Sequence, residues 1–386
     1  RPVVVAHYSL HQAVVSSAGL DALGIGRATD DPPGGRLVRG ADGAPNGVLV
    51  ERAWSEAHAR SVRAYHDPAR WAELFVARAR ALLRDGITCV HDAACAPAAA
   101  EVYRALARER RLPISVLMMP HGEALLARLA VERIVDVAPT GDGDEWLRVG
   151  PVKLFADGGA EPALDVHMGG ARITLGIALP GVEEDVAILV ERGLGVAVHA
   201  IGNVGLAHAL DAFRAARRTR SGRDLRLRVE HAMLASEPQM AEMRALDLIG
   251  VVQPGFVDHV GNAVAGVRFD DATWLPFGDL ARHGVRLAAS SDDPCAFHEP
   301  LLTSARGVTR RSGSGAIAGP EQALGYEEWL RMYTAGAAFA GGQEHERGRL
   351  TPGLRADLVL LDGALDAEHP PSVSETWVAG RRAYAA

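Results

Sequence analysis

The chain has 386 residues, 48% hydrophobic and 23% charged, the balance of a folded globular protein larger than one ordinary small domain. Its formal charge of −7 comes from 41 basic and 48 acidic residues, and no Lys/Arg cluster is interleaved with aromatics, which argues against nucleic acid as a partner. Cys89, Cys95 and Cys295 have no metal or redox spacing, and no apolar run reaches the ~18–20 residues that span a bilayer, so a cytoplasmic protein with no membrane partner is expected.

The opening RPVVVAHYSLH reads as the middle of a strand running into a loop, and a further strand is expected upstream of Arg1. Residues 1–66 then read as a loop-rich region with short helices, punctuated by DPPGG and ADGAPNG. From Asp67 the pattern changes. DPARWAELFVARARALLRDG has helical spacing with an Asp at its start and a Gly at its stop, and it leads into the strand ITCVHDA. Helix 97–111 leads to LPISVLMMP, and helix 121–136 to LRVGPVKLFADG. Segment 182–193 leads to GLGVAVHAIG, helix 204–219 to LRLRVEHA, and helix 236–246 to LIGVVQPGF. Segment 272–284 leads to VRLAASSDDP.

Seven strands, each preceded by a helix or helix-like segment, predict a parallel α/β sheet. A (β/α)8 TIM-like barrel closes on eight strands, so the first is missing from this chain. After the helical stretch YEEWLRMYTAGAAFAGG, the segments GRLTPGLRADLVLLDG and VSETWVAGRRAYAA read as short strands of a small sheet. The boundaries expected are a barrel over 1–342 and an appendage over 343–386.

Four strand ends carry groups suited to chemistry. Lys153 lies in an apolar strand, where an ammonium needs a counter-charge such as Asp157, or must lose its proton. As an amine it can take up carbon dioxide and form a carbamate able to bridge two metal ions. His199 and His231 end successive strands and offer neutral imidazoles suited to zinc. Asp292 ends the last strand, where a carboxylate can bind a metal and accept the proton of an attacking water. Its neighbour Asp293 reads as capping the turn before Pro294. His7 and His11 are four apart; His11 is read as facing substrate, as are Asn203 and Gln253.

The motifs GPVKLFADG, VAVHAIGN, RVEHA, VVQPGF, ASSDDP and GRLTPGLRADLVLLD resemble, in this order, those of the amidohydrolase superfamily. More narrowly, the chain is similar to the branch containing YtcJ-like proteins and N-substituted formamide deformylase; SSAGLDALGI and PPGG near its start agree. The resemblance implies a distorted barrel with a β-sandwich built from both chain ends, and one or two divalent metals, usually zinc. It makes Lys153 the carboxylated lysine, His199 and His231 the imidazole ligands, and Asp292 ligand and general base. The implied reaction is hydrolysis of an amide or formamide-like C–N bond in a small molecule by an activated water. A homodimer is the default assembly.

One departure stands out. Members of that family begin with a strand ending in His-x-His, and no such pair occurs here. A non-catalytic barrel that binds a small ligand therefore stays open, and, because the resembled superfamily does both kinds of chemistry, so does a deaminase acting on a ring C=N bond.

Overall fold

The computed structural model describes residues 1–127, 138–219 and 225–386. Through its centre, helices alternate with parallel strands. In chain order the strands are Cys89–Cys95, Ser115–Pro120, Leu147–Val149 continuing as Val152–Phe155, Val196–Ala200, Arg228–His231, Ile249–Val252 and Arg286–Ala289. Each neighbouring pair is parallel. The predicted strand LRVGPVKLFADG is broken at Gly150–Pro151. Its first half pairs with Ser115–Pro120 and its second with Val196–Ala200. Proline has no N–H to give a ladder, which is why the break falls there. Among the described residues, Cys89–Cys95 and Arg286–Ala289 have a strand neighbour on one side only.

Alternation along these strands decides what faces where. Val152, Leu154, Val196, Val198 and Val229 point to the helices and pack with Leu206, Leu210 and Phe213 of helix Asn203–Thr219 and Val186 and Leu189 of helix Val182–Glu191. Burying one such side chain is worth about 1.5–3 kcal/mol, so this layer holds the sheet to its helices. The other face carries two rows in register: Lys153, Ala197 and Arg228, then Phe155, His199 and Glu230. The chemistry therefore lies on the face turned away from the helices.

Helix Pro68–Arg84 shows how local sequence sets the frame. The Asp67 carboxylate accepts the amide of Arg70, and Pro68 occupies the first turn, where its missing N–H costs nothing. Ala79, Leu82 and Leu83 pack with Ile114 and with Val378 of the C-terminal sheet. That sheet has three antiparallel strands, Leu358–Leu361, Val373–Val378 and Arg381–Ala385. Thr376 Oγ1 ties it to the helix by donating to the Leu83 carbonyl at 2.7 Å.

Three expectations are revised. The region read as loop-rich contains a four-stranded antiparallel sheet, Val4–Ala6, Gln12–Val15, Gly35–Arg39 and Pro45–Glu51. Its Gly/Pro clusters are the turns of that sheet. Segment 272–284 holds a two-residue strand, Thr273–Trp274, and a short helix, Phe277–Arg282. Of helix 121–136, residues 121–127 form turns and bends, and the remainder lies outside the described residues. The structure also adds a hairpin after the lysine strand, Leu164–Met168 with Ala171–Leu175.

Candidate active site

His199 is the fourth residue of its strand and faces the non-helical side by alternation. His231 would point the other way on the same rule. It does not, because the backbone turns over at the strand end: φ is +78° at His231 and +44° at Ala232. The two imidazoles consequently face each other, with centroids 4.5 Å apart at 73°. Asp292 also sits at positive φ, +59°. Non-glycine residues in this region cost of order 1–3 kcal/mol each and recur where side-chain aim matters more than backbone comfort.

Both imidazoles are kept neutral. Burial is the largest cause holding each below the ordinary histidine range; for His199 the basic groups beside it, His231, His11 and Lys153, disfavour a further proton, and for His231 the Asp292 carboxylate pulls back. His231 Nδ1 lies 2.9 Å from Gln253 Oε1, while Gln253 Nε2 donates to the Val251 carbonyl and to Ser290 Oγ. The amide orientation is thereby fixed: Gln253 accepts from Nδ1–H, and Nε2 of His231 keeps its lone pair. Buried Nε2 of His199 has no hydrogen-bond partner among the described residues, with Asp157 Oδ1 at 3.7 Å.

Lys153 is 4% exposed and is the only lysine in the chain; every other basic residue is arginine. Burial lowers its pKa, with Glu230 and Asp292 opposing that shift and Arg228 assisting it. Its counter-charge is not Asp157. The Asp157 carboxylate is wholly buried and accepts the amides of Ile201, Gly202 and Ala163 at 3.0, 2.7 and 3.2 Å, pinning the loops after two strands. Burial nonetheless pushes its pKa up to about 7. Glu230 is the acid that answers the lysine. Burial works against its charge, but the Arg228 guanidinium, bonded to it at 2.8 and 3.1 Å, and Lys153 hold its carboxyl below the usual range. Arg228 also donates to His91 Nδ1 at 3.3 Å, and burial drives that imidazole down to about 3, so it accepts as a neutral ring.

The structure brings Lys153, His199, His231 and Asp292 into one region: Lys153 acts on both imidazoles, and Asp292 acts on His231 and on Lys153. His11 joins them, its ring 5.1 Å from that of His199. The structure gives Gln253 to His231 and Asn203 to the hairpin: Asn203 accepts the Asp165 amide at 3.0 Å and donates to its carbonyl at 2.6 Å. Exposed Asp293 pairs with Arg78 at 2.9 Å. Sequence reasoning missed Glu230, Arg228 and His121, whose Nδ1 donates to the Lys153 carbonyl at 2.9 Å. Lysine usage was the unused signal. A chain that writes arginine everywhere else keeps one lysine for a chemical property that guanidinium lacks.

Among the described residues, no three His, Cys, Asp or Glu side chains form a ready metal cluster. The region offers a free imidazole lone pair on His231 Nε2 and an orphaned buried nitrogen, Nε2 of His199, backed by a carboxylate and an amine. That donor set fits part of the shell of a borderline metal such as zinc, with Lys153 and Asp292 to complete it.

A family model described as "Amidohydrolase family" matches residues 1–384. N-substituted formamide deformylase of Arthrobacter pascens is 31% identical over 94% of this chain and 68% of its own length. The Bacillus subtilis protein named "Putative amidohydrolase YtcJ" is 26% identical over 100% of this chain and 74% of its own. Among solved structures, an uncharacterized metal-dependent hydrolase from Pyrococcus horikoshii superposes with a TM-score of 0.69 at 25% identity, covering 92% of this chain and 70% of the other. On motif order, site geometry and these matches, the chain belongs to the amidohydrolase family, whose relatives here are hydrolases of carbon–nitrogen bonds.

Proposed function

We propose that this protein hydrolyses an amide or formamide-like C–N bond of a small molecule with a divalent ion, zinc by its donor set, held by His199 and His231 and completed by Lys153 and Asp292. The parallel strands are read as the body of a (β/α)8 barrel, and the sheet Leu358–Ala385 as the C-terminal part of a small β-sandwich. The observation that carries the reading is the facing pair of buried, neutral imidazoles, one aimed by a left-handed backbone turn and locked by Gln253. Burial of the single lysine favours its amine, the form that takes up carbon dioxide to give a carbamate.

The ion supplies Lewis acidity toward the carbonyl and a lowered pKa for water. The chain's own residues do the rest. Asp292, whose carboxylate acts electrostatically on His231 and Lys153, accepts the proton of the attacking water and passes it to the departing nitrogen. Gln253 holds the His231 tautomer, and Asp157 holds the loop that follows the His199 strand. The Glu230–Arg228 pair keeps the floor under Lys153 fixed.

The test is a panel of N-substituted formamides, simple amides and ring amidines, incubated with zinc-supplemented protein and scored for each product. Formate or carboxylate release with the free amine is expected. Ammonia released from ring substrates alone would replace this reading with deamination, and no turnover of any class would favour the ligand-binding alternative.

A further inference from the structure

Aromatic residues make up only 5% of the chain, and among its Phe, Tyr and Trp residues three are exposed: Tyr8, Tyr65 and Phe297. Two of the three meet. Tyr8 is 54% and Phe297 43% exposed, and their ring centroids lie 6.2 and 5.0 Å from that of His259, at 49° and 62°. A single exposed apolar side chain is ordinary on a protein surface, but a cluster of aromatic rings left to water is not. His7 extends the cluster, its ring 4.3 Å from that of Tyr8.

Each ring rides on a segment that is itself anchored at the candidate active site. Tyr8 is three residues before His11, whose ring is 5.1 Å from that of His199 and whose Nδ1 lies 2.6 Å from Oε2 of the buried Glu51. Oε1 of Glu51 accepts the amides of Ala160 and Glu161 at 2.9 and 3.2 Å, which pins that carboxylate. Phe297 is five residues beyond Asp292. His259 stands three residues after Phe256 on the helix Phe256–Val264, so the two share a face, and the Phe256 ring is 6.1 Å from that of His231. Two close approaches bind the segments together. Cys295 Sγ lies 3.6 and 3.5 Å from the Tyr8 and Ser9 carbonyls, while its amide donates to the Asp292 carbonyl at 2.6 Å. A Cβ at Gly255 would stand 3.2 Å from Ala296 Cβ and 3.6 Å from the Phe297 carbonyl oxygen, so that loop lies against the start of the helix. His259 Nδ1 donates to the Gly255 carbonyl at 3.3 Å, which orients its ring.

The rings therefore run outward from His231 through Phe256 and His259 to the exposed Tyr8 and Phe297. Sites for small molecules combine a few polar groups with apolar and aromatic walls, and the polar groups here are already assigned to chemistry. We infer that Tyr8, His259 and Phe297 form a shelf at the solvent edge of the candidate site that receives a flat apolar group of the substrate, and that they select aryl-bearing amides over polar ones. Rings tilted to one another accept a further ring by edge or offset stacking, contacts that a polar chain does not make. The inference rests on the C–N hydrolase reading above and supplies the substrate class it leaves open.

The experiment measures kcat/KM for pairs of small amides that differ only in ending in a phenyl or a hydroxymethyl group, one series built on the nitrogen side and one on the acyl side. Wild type should prefer phenyl by at least about 10-fold in one of the series. Tyr8→Ser and Phe297→Ser should each cut that preference by about 3–10-fold, while Leu350→Ser, which also removes an exposed apolar side chain, should leave it unchanged. In parallel, para-fluorobenzyl alcohol, which carries the aryl group and no amide, is titrated onto each protein and followed by fluorine NMR, with thermal unfolding as the check on folding. Wild type should bind it, and both shelf variants should bind it at least about 3-fold more weakly. No phenyl preference in either series, or a preference and probe affinity unchanged in the folded variants, overturns the inference and leaves the hydrolase reading standing. Turnover of no amide, with probe binding still dependent on Tyr8 and Phe297, is the failure of the hydrolase reading alone.

Discussion

Asp292→Asn is expected to lower kcat by about 10²–10⁴-fold at saturating zinc, the usual weight of a positioned acid–base group. Asparagine is the informative replacement. It matches aspartate in size and tolerates the left-handed φ of +59° found there, so the loop should keep its path while the proton acceptor disappears. Asp293→Asn is the control: that carboxylate is exposed and bonded to Arg78, and losing a surface ion pair should leave kcat within about 2-fold. An Asp292→Asn enzyme as active as its control would remove Asp292 from the proton path.

Arg228→Leu should cost about 3–5 kcal/mol in reversible urea unfolding, because it strips a buried glutamate of the guanidinium that compensates it. Arg228 and Glu230 are 2% and 5% exposed, so water cannot take over. The double variant Arg228→Leu/Glu230→Leu should recover part of the loss, since a well-packed apolar pair can equal a buried ion pair. Whatever deficit persists reports on Lys153, which loses its counter-charge with Glu230. A single-variant loss below about 1 kcal/mol would mean that Glu230 is satisfied by groups other than Arg228.

Much of this site could be read in the sequence, for a definite physical reason. A buried parallel strand is an apolar run, so Lys153, His199 and His231 stand out within VKLF, VAVHA and RVEH. The same logic hid Glu51. In GVLVERAW it looks like a surface acid at the end of a strand, and its burial depends on amides of residues 160 and 161, more than a hundred positions away. Gln253 was legible as a polar residue at a strand end but not as the partner of His231, since that needs the flipped backbone at residue 231. Asp157, adjacent in sequence to the lysine strand, looked like the lysine's counter-ion; tertiary structure gives it to three backbone amides instead.

Fold-level legibility follows the same line. Apart from the expected helix 121–136, the long amphipathic helices and apolar strands appear where their periods place them. The antiparallel sheet over residues 4–51 was obscured because its turns are dense in Gly and Pro and its strands are three to seven residues long. The hairpin 164–175 buries only Leu164 and Val166 of its first strand and carries Asp165, His167 and Arg172, which pair with Asp271 or with one another and read as loop polarity in the sequence.

The most direct test is the metal content of the purified, extensively dialysed protein beside His199→Ala and His231→Ala, with folding of each checked by thermal unfolding. A stoichiometric divalent ion in wild type, absent from both folded variants together with turnover, is the predicted result. Full retention of metal by the variants, or amide hydrolysis undiminished in chelated, metal-free wild type, would contradict the facing histidines as the seat of the chemistry.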